Sequence, residues 1–268
     1  MSAEPAYIAP PRPVLTEIDR SRISSLNQIL IQASFARRAE INEEILRVLG
    51  PIVAHGPFAG TKLPARSSWG EGEVTPKILG CYEEELHPAV EKAIARNPTR
   101  IVNVGCAEGY YANGLGRRLP SAQVLAFDID PKAQAVCRTM ADENGVGDRM
   151  TVDGECSPER LRAIAADGTR SLIVMDCEGA ELDLLDAPTA SALIRCDLII
   201  ECHDFASKGT TQKLIDRFKA THSIEVIEEG ARNPGKYPEL RGLNSIDRWL
   251  ALCEFRPSHM NWLACWSR

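Results

Sequence analysis

The residues best suited to chemistry gather where short apolar runs end. The first group is Ile-Val-Asn-Val-Gly-Cys-Ala-Glu-Gly-Tyr-Tyr-Ala, residues 101–112, where a buried-strand pattern meets Gly105 and Gly109 and a helical pattern begins at once. Glycine serves where the chain must turn tightly or approach a ligand without a Cβ in the way. The spacing is G-x-x-x-G rather than the G-x-G-x-x-G of dinucleotide binders. Glu108, inside the loop, would repel a pyrophosphate, which wants an unobstructed helix N-terminus. A ligand carrying a cation, such as an ammonium or sulfonium, suits it better. The second group is Ala-Phe-Asp-Ile-Asp-Pro. Asp128 follows Gly105 at close to the ~20-residue spacing of a carboxylate that binds ribose hydroxyls, with Asp130 as its rival. A bare βα turn and a helix cap would explain each feature alone. Their joint occurrence, each after a strand, favours a ligand site.

Two further groups are acidic. Asp176, Glu178, Glu181 and Asp183 follow the fourth apolar run, and Glu201, His203 and Asp204 follow the fifth. In open α/β sheets, ligands bind beyond the carboxyl ends of the strands. Two uses compete. Asp176, Glu178, His203 and Asp204 offer oxygens and one imidazole to Mg²⁺ or Mn²⁺, which would orient and acidify a hydroxyl. Alternatively His203 is the general base, its ordinary pKa near 6.5 suiting that work, with Asp176 and Asp204 as its acidic neighbours. The base is preferred and the metal kept as the second option. Glu181 and Asp183 are equally well explained as acids favoured at a helix start.

These groups need elements to hold them. Apolar runs at 101–104, 124–127, 150–152, 172–175, 198–200 and 224–227 alternate with helical stretches at 110–118, 132–144, 157–166, 180–185 and 211–220. That alternation predicts an α/β, doubly wound parallel sheet. The run 261–266 follows with no clear helix before it, so an antiparallel final hairpin is expected. Upstream, residues 1–15 form a Pro-rich arm. Residues 16–49 are helical by periodicity (Ile23, Leu26, Ile29, Leu30, Ala33, then Ile41, Ile45, Leu46, Leu49), ended by Gly50-Pro51. A Gly/Pro-rich passage at 56–76 is expected to form a lid with His55 and Trp69, and a short helix spans 82–95. The domains are then 1–78, an N-terminal helical extension, and 79–268, the ligand-binding core. Arg37 and Arg38 read as a surface pair, and Arg248, Trp249 and Trp262 as a possible frame for a substrate.

Composition narrows the class. Lys and Arg number 31 against 37 Asp and Glu, a net charge of -6. This argues against nucleic-acid partners and against a polybasic membrane contact. No apolar stretch approaches the roughly 18 residues of a membrane span, and no signal peptide is evident. The nine cysteines include no C-x-x-C pair, so a cytoplasmic, reducing location is expected.

Across residues 79–205, NVGCAEGYYA, AFDIDP, VMDCEGAELDLL and IIECHDF resemble the class I S-adenosylmethionine-dependent methyltransferases, and among them the FkbM-type family. The resemblance implies a Rossmann-like seven-stranded sheet with its last strand antiparallel, and S-adenosylmethionine as methyl donor. It places donor contacts on Tyr82, Gly105, Cys106, Glu108, Gly109, Tyr110 and Asp176, the ribose at Asp128 and Ile129, and adenine near Gly154, Glu155 and Cys156. Glu83 joins Tyr82 in lining the donor pocket. Asn103 stands where that family carries Asp. The implied activity is O-methylation of a small-molecule or sugar-like hydroxyl, helped by a base or a divalent metal. Methylation of nitrogen, or of RNA or protein, is the alternative, although the acidic charge counts against RNA. A non-catalytic nucleoside-binding module is the third. A homodimer through the N-terminal helices is expected.

Overall fold

In the computed structural model, residues 17–64 and 73–268 are described, with side chains from residue 25 onward in the first helix. Seven strands form one sheet: β1 Arg100–Val104, β2 Gln123–Phe127, β3 Met150–Asp153, β4 Ser171–Met175, β5 Asp197–Cys202, β6 His222–Glu228 and β7 Asn261–Ser267. Their order is β3-β2-β1-β4-β5-β7-β6. The first five pair in parallel, while β7 runs antiparallel to both β5 and β6. β4 and β5 are buried along their whole length, as continuous apolar runs in a sheet covered on both faces should be. Each expected strand is present, extended by at most two residues at an end. The final hairpin is antiparallel as expected, but its second strand inserts between β5 and β6.

Side chains alternate across the sheet and divide the core in two. Ile101, Val124, Ala126, Leu172, Val174 and Ile199 face one layer, with Leu115 of α4 (Tyr110–Arg118) and Cys137 of α5 (Pro131–Glu143). Val102, Val104, Ile173, Met175, Leu198 and Ile200 face the other. There Leu161 of α6 (Pro158–Ala165), Ala190 of α8 (Ala187–Ala192), and Leu214 and Phe218 of α9 (Thr210–Phe218) cover them. α7 (Glu181–Leu184) links β4 to α8. Three short helices were not expected: α2 (Val74–Leu79), α8 and α10 (Ser245–Leu252). All are too brief to establish a 3.6-residue period.

The N-terminal helix α1, Glu17–Leu49, has 33 residues. Ile41 and Ile45 share a core with Ile101, Leu115 and Trp262, so residues on both sides of position 78 pack together. Arg38 corrects the surface-pair expectation: it is fully buried, bonded to Asn42 (3.0 Å) and to the Leu250 carbonyl. Arg37 donates to Asp247 at 2.7 Å, so both arginines tie α1 to α10. Leu26, Ile29, Leu30 and Ile31, earlier on α1, are exposed.

The described part of the expected lid is packed down. Phe58 meets Tyr110 and Tyr111 edge-on, and a Cβ on Gly114 would strike its ring. His55 pairs with Glu239 at 2.8 Å. Trp69 and the Pro-rich arm lie outside the described residues. All nine cysteines are free thiols. Among the described residues, no helix is long and apolar enough to cross a membrane.

Candidate active site

The turn after β1 is held by its neighbours on both sides. The amides of Gly105 and Cys106 both donate to the carbonyl of Phe127, at the end of β2. Ala107 donates its amide to Asp128 Oδ2 at 2.8 Å, and Asp130 donates to Oδ1 at 2.9 Å. The glycine turn and Asp128 are therefore in direct contact. Asp130 has a different task, accepting the Lys132 amide as the N-cap of α5.

The reason for the glycines differs from expectation. Gly105 has φ 75°, and a Cβ there would overlap the carbonyl oxygen of Asp176. A Cβ on Gly109 (φ 90°) would lie 2.8 Å from Cys137 Sγ. Close packing against β4 and α5 demands glycine at both, before any ligand is considered. Ala107, at φ 46°, adopts the left-handed region without that freedom. The Cys106 and Tyr110 side chains, expected at the donor, point into the core instead. On the sheet edge beyond Asp128, Ile129 and Glu155 are exposed, and Gly154 lies beside Gln134, whose amide donates to the Asp128 carbonyl.

Glu108 brings a second correction. The cation its position called for is supplied by the chain itself: Lys77 of α2 donates to Glu108 Oε1 at 2.5 Å and to Glu73 Oε2 at 2.5 Å. Burial opposes the Lys77 charge, but the two carboxylates outweigh it and raise its pKa. The ammonium also sits 4.7 Å from the Tyr82 ring centre and 5.7 Å from that of Tyr110.

Tyr82 and Glu73 lead into a cavity of about 190 Å³ at the carboxyl ends of β4 and β5, lined also by Asp176, Glu178, Glu201, His203, Phe255 and Arg256. His203 is buried. Its Nδ1 bonds Glu181 Oε1 at 2.7 Å, and its Nε2 faces Glu178 (3.5 Å), Asp176 (3.6 Å) and Glu201 (3.7 Å). Burial alone would lower the His203 pKa, but the bond to Glu181 and the surrounding carboxylates raise it. The crowded acids shift the same way. Burial, with Glu83 and Glu178 nearby, lifts Asp176 to about 7. Burial and the Glu201 charge lift Glu83 to about 8, and burial beside Asp176 pushes Glu201 well up. Arg256 is the main counterweight, bonding Glu83 at 3.0 Å, Glu254 at 3.1 Å and Glu201.

The donor chemistry fits a divalent cation. Ligand atoms of Asp176, Glu178 and His203 lie within 4.8 Å of one another, as do those of Glu83, Asp176 and Glu201. Asp204, expected among both the catalytic and the metal residues, is elsewhere engaged: it accepts from the hydroxyl and the amide of Thr211 and so caps the first turn of α9. Glu181, which a helix start explained equally well, holds the His203 ring. Arg256 and Glu254 carry no motif and were missed. Their signal is topological, because β7 runs antiparallel to β5, with Asn261 opposite Cys202. The segment entering β7 therefore arrives at the end of β5 where the cavity lies. Of the expected aromatic frame, Trp262 is fully buried and Trp249 exposed.

Neither a family model nor a curated protein matches the chain. Among solved structures it is similar to the O-methyltransferase TomG from Streptomyces achromogenes, involved in tomaymycin synthesis and seen with SAM (10% identity, 86% of this chain and 90% of that chain, TM-score 0.47). It is similar also to cofactor-bound Rv0187 from MTB (12%, 96% and 100%, TM-score 0.48). A third is precorrin-6y C5,15-methyltransferase from Geobacter metallireducens GS-15 (12%, 68% and 89%, TM-score 0.44). In strand order and direction the chain has a Rossmann-like α/β fold, a seven-stranded and mostly parallel sheet with its last strands antiparallel and an N-terminal helix added.

Proposed function

We propose that the chain is an S-adenosylmethionine-dependent methyltransferase acting on a hydroxyl of a small-molecule or sugar-like acceptor. The observation that carries this reading is the bond between the Ala107 amide and Asp128, beside a polar cavity at the ends of β4 and β5. The donor supplies an electrophilic methyl on a sulfonium. The chain's part is to orient the two reactants and move one proton. His203 Nε2 takes the acceptor's hydroxyl proton, while Glu181 fixes the ring through Nδ1. In the competing arrangement Asp176, Glu178 and His203 Nε2 would hold a divalent cation, which would acidify the hydroxyl in place of the His203 base.

A second reading, transfer to nitrogen, is favoured by the excess of carboxylates around the cavity, which suits an acceptor bearing an amine. Calorimetry with S-adenosylmethionine tests the donor half, with Asp128→Ala expected to weaken binding by about 10- to 100-fold. Labelled-methyl transfer to hydroxylated small molecules, amines, tRNA and peptides tests the acceptor half. Absence of donor binding by the unaltered protein would overturn the reading. Donor binding with no transfer to any acceptor would leave a nucleoside-binding module.

A further inference from the structure

The charges around the cavity at the ends of β4 and β5 do not balance. Of the carboxylates lining it, Glu73 is bonded to Lys77, Glu254 to Arg232 and Arg256, and Glu201 to Arg256. Asp176 and Glu178 have no lysine or arginine partner among the described residues. Both face His203 Nε2, at 3.6 and 3.5 Å. The His203 side chain is only 1% exposed, yet it lines the cavity, and its Nε2 makes no hydrogen bond among the described residues.

Much of the remaining lining is apolar. Phe205 is half-exposed and meets the His203 ring edge-on at 5.6 Å. Phe255 stacks on Phe35 of α1 at 4.3 Å, and Pro257 and Met260 join them. A bare metal ion gains nothing from such a wall. The carbon skeleton of an organic cation is buried by it, and its charge is drawn to the ring faces. A cavity of about 190 Å³ is smaller than the ~300 Å³ of drug-sized sites, and suits a small molecule or one end of a larger one.

We propose that the acceptor is a vicinal amino alcohol, its ammonium held by Asp176 and Glu178 and its neighbouring hydroxyl presented to His203 Nε2. This inference rests on the methyl-transfer reading above and selects oxygen over nitrogen as the acceptor atom. Both carboxylates stand within 3.6 Å of the nitrogen that receives the proton, so amine and hydroxyl sit on adjacent carbons. An ammonium bonded to two carboxylates keeps its proton and has no lone pair to attack the methyl. The hydroxyl oxygen attacks instead. Its bond to the methyl forms as the sulfur–methyl bond breaks, the bonding pair returns to sulfur, and the hydroxyl proton passes to Nε2. The products are a methyl ether and the thioether S-adenosylhomocysteine.

Ligand-detected NMR with the full chain in EDTA compares trans-2-aminocyclohexanol with trans-cyclohexane-1,2-diol, which differ only by an amine in place of a hydroxyl. The amine is expected to bind about 10- to 100-fold tighter, through two charge-assisted contacts. Asp176→Asn should shrink that ratio about tenfold, and the exposed Glu178→Gln about 2- to 5-fold. A change that merely loosened the fold would weaken both ligands alike and leave the ratio. Glucosamine against glucose, and ethanolamine against ethylene glycol, tell an amino sugar from an acyclic amino alcohol. With S-adenosylmethionine added, labelled methyl recovered on oxygen supports the inference, and on nitrogen overturns it. Equal binding of amine and diol, binding of neither, a ratio unchanged in both variants, or a requirement for Mg²⁺ or Mn²⁺ would also overturn it. Those outcomes leave donor binding untouched, whereas failure to bind S-adenosylmethionine removes the methyl-transfer reading itself.

Discussion

Gly105 shows how a residue that looks ligand-driven is fixed by its own neighbours. A side chain there must adopt φ 75° and overlap the Asp176 carbonyl at the end of β4. Gly105→Ala is therefore expected to destabilise the protein by about 3 kcal/mol or more, read from chemical denaturation. His203 makes a kinetic prediction. Its pKa is raised above the ordinary 6.5, so the neutral imidazole that accepts a proton gains population only at a pH above that of an ordinary histidine. Turnover should rise with pH through that range, and His203→Asn should abolish the limb and cut kcat about 10²- to 10⁴-fold. A flat profile in the unaltered protein would remove His203 as the base. Chemistry-bearing types in sequence, such as Asp128, Asp176 and His203, were legible because each follows a strand. Which groups they bond was not, since Glu108 meets Lys77 and His203 meets Glu181 only through tertiary packing.

At the level of elements, strands were easy to locate and connections harder. Continuous apolar runs such as Ser171–Met175 leave little choice when both faces are covered. α10 escaped because its eight residues expose Ile246 and Trp249, which blurs any apolar stripe. Asp204 illustrates the same limit, since a carboxylate after a strand serves a catalytic site and a helix start equally well on paper. Its bonds to Thr211 assign it to α9. Asp204→Ala should cost about 1 kcal/mol of stability, as loss of a cap does, with kcat nearly unchanged. A large fall in kcat at full stability would return Asp204 to the catalytic group.

For the whole molecule, the crowded acids make stability depend on pH in an unusual direction. Asp176 at about 7 and Glu83 at about 8 hold protons that the unfolded chain releases near 4. Their pKa values are raised on folding, so this stabilisation is complete at low pH and disappears as pH rises through 7 and 8. Tm should fall between pH 5 and 8 and level off above, and Mg²⁺ or Mn²⁺ should restore part of it at pH 8.5 if Asp176, Glu178 and His203 take a cation. An unchanged Tm with either ion would argue against that site. The position of β7 has a consequence for biosynthesis. As the ribosome delivers the chain, β6 emerges before the strand that must separate it from β5. Until Asn261–Ser267 has been translated, the nascent sheet carries a raw apolar border at Leu198, Ile199 and Ile200, open to pairing with other polypeptides. Nascent chains stalled before that point are candidates for chaperone capture, and the cavity lacks its Arg256 wall until nearly the same moment.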